Sequence, residues 1–112
     1  MKKEYRPWGW YENLLDASQY KVKRLCLEAD QKISLQYHTF RDEHWVVVDG
    51  GGNLELEDRI KEINIGDYIF ISKGSKHRIT AGKCGIIIIE IQIGLKCEED
   101  DIIRLEDYYG RV

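Results

Sequence analysis

A single proline, Pro7, stands in a chain of 112 residues, so no proline-rich linker separates one part from another and one domain is expected. Cysteine is scarce too. Cys26, Cys84 and Cys97 are odd in number and share no C-x-x-C spacing, which excludes a fully paired disulfide framework and a cysteine-built zinc knuckle. They read as reduced structural thiols. Long apolar runs are missing: the longest, residues 45–48 and 86–89, fall far short of the ~20 residues of a membrane-spanning helix. A basic surplus is missing as well, with 17 Lys and Arg against 20 Asp and Glu and a net charge of −3. No nucleic-acid partner is therefore expected, although a small anion needs only two or three local cations. Residues 1–7 contain no apolar stretch of a secretory signal, so the expected location is the cytoplasm.

What is present is a hydrophobic content of 43% and short runs of strand period punctuated by glycine. Residues 20–28 alternate, with Lys21, Lys23, Leu25 and Leu27 on one side and Val22, Arg24 and Cys26 on the other. Residues 32–38 and 43–49 are predicted as paired strands, and Gly50, Gly51 and Gly52 as a tight turn. A hairpin about Asp58 joins 54–57 to 59–64. Strands over 68–72 and 77–80, a turn at 81–85 and a last long strand over 86–93 complete an all-β sandwich or barrel. An aromatic arm, about 1–15, should pack on that barrel or on a partner subunit, core packing being the favoured role. In the acidic segment, about 97–112, the cluster ahead of Ile102 suits a helix N-terminus. Both faces of 45–48 and 86–89 are apolar, and a small barrel buries only its inner face. A homodimer is the inferred cover.

Four side chains have the chemistry of a metal site. Gln36 and His38 share a strand face, Glu43 opens the next apolar run, and His77 begins a strand after the Gly74 turn. Amide oxygen, imidazole and carboxylate suit one divalent first-row cation, zinc first, with manganese, cobalt, nickel and iron also accepted.

Glu43 followed by Gly50, and Gly66 followed by His77, look like the two halves of the cupin signature. More narrowly, Arg6-Pro7-Trp8-Gly9, Ser34-Leu35-Gln36-Tyr37-His38, Arg41-Asp42-Glu43-His44-Trp45 and Asp100-Asp101-Ile102-Ile103-Arg104 closely resemble the type II mannose-6-phosphate isomerase domain. That domain usually forms the C-terminal part of bifunctional mannose-1-phosphate guanylyltransferases. The resemblance implies a single cupin domain over 1–112, a double-stranded β-helix or jelly-roll barrel, with Gln36, His38, Glu43 and His77 as metal ligands. Where the family usually continues with two more histidines this chain has Thr39 and Phe40, and Ser72 stands in place of proline. The residues left over are too few for a guanylyltransferase half, so action on GTP is not expected of them.

The implied activity is conversion of mannose 6-phosphate to fructose 6-phosphate through an enediol. Arg41 is the first choice to stabilise the enediolate, and Lys21 or Lys23 to carry the proton if desolvated. His44 is set aside, because parity with Glu43 turns it the other way. Arg78, Lys76 and Arg111 are the expected phosphate contacts. Two rivals remain: an isomerase or epimerase acting on another sugar phosphate or a nucleotide sugar, and a non-catalytic cupin that binds sugar and regulates a partner.

Overall fold

The computed structural model describes residues 2–110, which contain nine strands and no helix. In chain order these are β1 (Lys3–Arg6), β2 (Gly9–Asp16), β3 (Tyr20–Leu27), β4 (Leu35–Tyr37), β5 (Arg41–Leu56), β6 (Arg59–Asn64), β7 (Tyr68–Ile71), β8 (His77–Gly94) and β9 (Ile103–Glu106). All pairings are antiparallel.

Two long strands organise the rest. β5 and β8 pair along nearly their whole length, from Arg41 opposite Gly94 to Leu56 opposite His77, with irregularities between Val47 and Asp49 and between Gly50 and Gly52. Before those irregularities the pair belongs to a layer ordered β1-β2-β3-β8-β5-β7; beyond them it belongs to a second, ordered β9-β4-β8-β5-β6. One curled sheet thus supplies both walls. Its core joins Trp8, Leu27, Trp45 and Ile88 of the first layer to Leu54, Ile63 and Ile79 of the second.

Three sequence expectations change here. The glycine triplet lies inside β5 and ends no strand. A Cβ on Gly52 would sit 2.2 Å from the Thr80 carbonyl oxygen, and one on Gly50, at φ +69°, 2.1 Å from that of Gly85. Glycine lets the two backbones touch where both strands change layer. For the same reason residues 81–85 do not turn: β8 runs through them. The segment 32–38 does not pair with 43–49 either. Only Leu35–Tyr37 is strand, and β4 lies between β8 and β9, leaving β5 to pair with β7 and β8.

At the ends, Trp8 and Tyr11 are core residues of the β1–β2 hairpin, so the aromatic arm is an edge of the barrel itself. The acidic segment begins no helix. Ile103–Glu106 forms β9 against β4 because that short strand otherwise leaves backbone groups unpaired. The predicted 20–28 strand and the hairpin about Asp58 are present as β3 and as β5 with β6.

Gly52→Ala should lower stability by about 1–3 kcal/mol, since the added methyl must push apart two paired backbones. The midpoint of urea unfolding measures it, and an unchanged midpoint would mean that this crossing is not tightly packed.

Candidate metal centre

Register sorts the inner face of the first layer into two ends. Lys21 pairs with Gln92 and Gln92 with Glu43; one step along, Lys23 pairs with Glu90 and Glu90 with Trp45. Two polar rows therefore lie side by side at one end of the barrel, while Leu27, Val47, Ile86 and Ile88 fill the other.

Facing these rows, the second layer brings Gln36 and His77 as cross-strand partners, and His38 follows directly after β4. His38, Glu43 and His77 are almost wholly buried, and their ligating atoms all lie within 4.8 Å of one another. Each carboxylate oxygen of Glu43 faces one imidazole. Oε2 lies 3.2 Å from His38 Nε2, and Oε1 lies 4.0 Å from His77 Nε2. Glu43 is itself held in place, its Oε1 accepting from the Trp45 indole N–H at 3.0 Å and its Oε2 from Arg41 Nε at 2.9 Å.

The far nitrogens decide what the rings can do. His38 Nδ1 lies 2.6 Å from the Asp101 carbonyl oxygen, and His77 Nδ1 lies 2.9 Å from that of Ser75. A carbonyl only accepts, so each Nδ1 carries the proton and each Nε2 turns its lone pair inward. Burial first, then the charges of Arg41 and His77, lower the His38 pKa from 6.5 to about 4, against the opposing Asp101 carbonyl and Glu90. Neutral imidazole with a fixed tautomer is the form that binds metal. Gln36 donates its side-chain N–H to the Ser34 carbonyl at 3.2 Å, leaving the amide oxygen as its coordinating atom. Donor types, tautomers and spacing fit one divalent cation. One contact competes: Arg41 Nη2 lies 3.5 Å from His38 Nε2, so an ion held there must displace it.

The four expected ligands line one cavity together with Arg41 and Lys23. Counting its open mouth, the space is about 810 Å³. Lys21 is not among the residues lining it but, like Lys23, meets the carboxylate of Glu99. Arg78 and Lys76 stand apart from this cavity. Arg78 donates to the Ile33 and Glu106 carbonyls, clamping the β9 edge, and the Lys76 backbone N–H bonds to Glu57. Arg111 lies outside the described residues. His44 points outward, as parity required, to the Tyr68 hydroxyl at 2.6 Å.

Several functional groups escaped the sequence reading. Glu90 and Gln92 sit in an apolar run, but strand parity places them on the buried face with Ile86 and Ile88. Glu90 is fully buried, and burial, followed by the charge of Glu43, raises its pKa above the ordinary carboxylate range, against Lys23, Arg41 and a 2.6 Å bond from Gln92. Asp101 was hidden in an acidic run that read as solvated surface. Its carboxylate accepts from the Thr39 and Phe40 backbone N–H groups, both at 2.9 Å, while its carbonyl orients His38. No long-range signal in the sequence could have shown that. The thiols behave as expected: all three cysteines are free, and burial raises the pKa of Cys26 and Cys97, keeping them protonated.

This architecture, a curled antiparallel barrel with two histidines and a glutamate at one end, is that of a cupin. Known structures agree. KdgF from a Halomonas species superposes with a TM-score of 0.80 at 15% identity, covering 89% of this chain and 90% of that one. Bacillus subtilis oxalate decarboxylase superposes at 0.83 and 15% identity, over 93% of this chain and 30% of its own.

Within that class the chain belongs to the family described as mannose-6-phosphate isomerase C-terminal, whose model matches residues 1–107. It is 38% identical to mannose-1-phosphate guanylyltransferase ManC of Salmonella typhimurium over 109 residues, covering 96% of this chain and 23% of the relative. It is 39% identical to the alginate biosynthesis protein AlgA of Pseudomonas aeruginosa over 108 residues, covering 96% and 22%. The chain thus spans about a quarter of the length of the curated relatives it matches.

Stripped of metal with chelator and reloaded, the protein should take up one divalent ion per chain. Asp101→Asn, which loosens the loop behind His38, should weaken that ion roughly 10–100-fold in competition with a chromogenic chelator. In the stripped protein His38 should stay neutral until the pH nears 4, as read by imidazole NMR shifts. Because its folded pKa lies below the unfolded value, its contribution to stability is whole above pH 6.5 and is lost as pH falls toward 4.

Proposed function

We propose that this cupin domain is a metal-dependent aldose-ketose isomerase acting on a sugar phosphate, with mannose 6-phosphate to fructose 6-phosphate as the first candidate reaction. The observation that carries the reading is the position of Glu90, a buried carboxyl with a raised pKa, in the same cavity as the His38, Glu43 and His77 cluster. The family description and the names of the relatives support a mannose phosphate as substrate.

Isomerisation moves one proton between neighbouring carbons through an enediol. Gln36, His38, Glu43 and His77 would hold the ion, zinc first, which when bound polarises the substrate's carbonyl. Glu90 would take the proton from one carbon and return it to the next, its raised pKa favouring proton uptake. Lys23 and Lys21 serve less well as bases, because both are already engaged by the Glu99 carboxylate. Arg41, fixed by Glu43 and by the Glu98 carbonyl, supplies positive charge beside the developing enediolate.

The outer face of the first layer supports a homodimer. Val46, Val48, Tyr68, Phe70, Ile91 and Ile93 are all more than a third exposed there, a continuous apolar patch of the kind that copies of a chain bury against each other. Ile91→Lys should then convert a dimer into a monomer in light scattering, without loss of metal.

Metal-loaded protein should interconvert mannose 6-phosphate and fructose 6-phosphate, and Glu90→Gln should lower kcat by roughly 10²–10⁴ with metal content unchanged. Turnover of a different sugar phosphate would redirect the substrate, and saturable sugar binding without turnover would leave a regulatory module. A Glu90→Gln variant as active as the parent would remove Glu90 from the chemistry.

A further inference from the structure

Lys21 and Lys23 are anomalous for a small barrel. Both lysines project from β3 into the interior and are only 4% and 6% exposed, although two ammonium groups so close repel and lose hydration. What offsets this is Glu99. Both of its carboxylate oxygens lie 2.8 Å from Lys23 Nζ, and Oε2 lies 3.5 Å from Lys21 Nζ. Asp16, largely exposed, reaches Lys21 at 3.7 Å. The Lys23 ammonium also rests 4.0 Å above the Tyr11 ring.

The two sides of this contact are built differently. The lysines stand on a central strand paired on both edges. Glu99 sits on the loop between β8 and β9, and its side chain is 42% exposed. Lys23 and Glu99 thus meet on the wall of the cavity that holds the His38, Glu43 and His77 cluster, and Lys21 reaches the same Glu99 carboxylate. Glu99 alone meets both ammonium groups, since the more exposed Asp16 reaches only Lys21. A phosphate monoester, with nearly two negative charges and three terminal oxygens, would match both.

We propose that Lys21 and Lys23 form the subsite for the terminal phosphate of the substrate, and that the Glu99 carboxylate is an internal stand-in which leaves when phosphate enters. This rests on the sugar-phosphate reading above and adds which cations take the phosphate. It also makes the segment around Glu99 a latch that the ligand itself releases.

Inorganic phosphate and metal-free, full-length protein test the idea without sugar or turnover. Glu99→Gln removes the competing charge, so phosphate should bind more tightly, by roughly tenfold in calorimetry. The gain should vanish when Lys23→Met is added. In the parent protein, saturating phosphate should raise amide hydrogen exchange at Glu98, Glu99 and Asp100. Weaker or unchanged binding by Glu99→Gln, a gain that survives Lys23→Met, or a loop better protected with phosphate would each overturn the proposal and leave Glu99 as a structural tether. If phosphate binds as described while no sugar phosphate is turned over, the isomerase reading fails and the subsite stands. Turnover of a sugar phosphate without these phosphate effects would overturn the subsite and leave the isomerase reading intact.

Discussion

A fully buried carboxylate, Glu43, sets the terms for everything around it. Taking such a charge out of water costs several kcal/mol unless partners replace the lost hydration. Here Arg41 and the Trp45 indole supply them, one to each oxygen. Arg41 is in turn a buried cation whose other arm reaches the Glu98 carbonyl, so neutralising Glu43 also ties down the start of the 97–102 loop. Burial works against the charge on Arg41, but Glu43, Glu90 and Glu99 outweigh it and hold its pKa above the ordinary value. The two imidazoles complete the set with Nε2 atoms facing inward. An ion placed among them adds positive charge next to Glu90, which favours the ionised form of that carboxyl. An ion bound there and the proton state of Glu90 would thereby be coupled through Glu43.

Backbone geometry makes that balance possible. Because β5 and β8 change layer together at Gly50 to Gly52, Glu43 is carried on one wall and His77 on the other, although both belong to the same strand pair. A flat hairpin would have set them far apart along one surface. Curling turns strand distance into proximity across a cavity. Antiparallel register then does the sorting, since the start of β3, the start of β5 and the end of β8 meet at one end. Polar residues at those termini share one chamber, and apolar residues further along fill the other.

This division explains what could be read from the chain. Strand period, turns and the ligand set are local or repeat along the sequence, so β3, β6, β7 and the four candidate ligands were legible, and the family resemblance supplied the barrel. The partner of β4 was not. Adjacency in sequence favours a hairpin with the next strand, whereas the crossover to β8 depends on the whole barrel closing. The glycine triplet failed for a related reason, because glycine that permits a turn and glycine that permits two backbones to touch look alike. Glu90 lay within reach: counting parity from Ile86 places it indoors, and a carboxyl indoors on an apolar strand calls for a reason. Asp101 and Glu99 were beyond reach, since acidic residues in a polar tail usually face solvent and only the folded loop shows otherwise.

That loop is where stability and function meet. Asp101 fixes the turn after His38 through two backbone N–H groups and orients the ring through its carbonyl, while Glu99 closes on the lysines of β3. The first set of contacts lies behind His38 and is mostly shielded; in the second, buried lysines meet a carboxylate that is 42% exposed. Exposed ion pairs contribute little to stability, whereas buried bonds to backbone groups contribute more and resist exchange with water. The two ends of one short segment are therefore unequal in strength. Position 99 can yield its partners to another anion while position 101 stays in place, so the mouth can change without loosening the His38 ring.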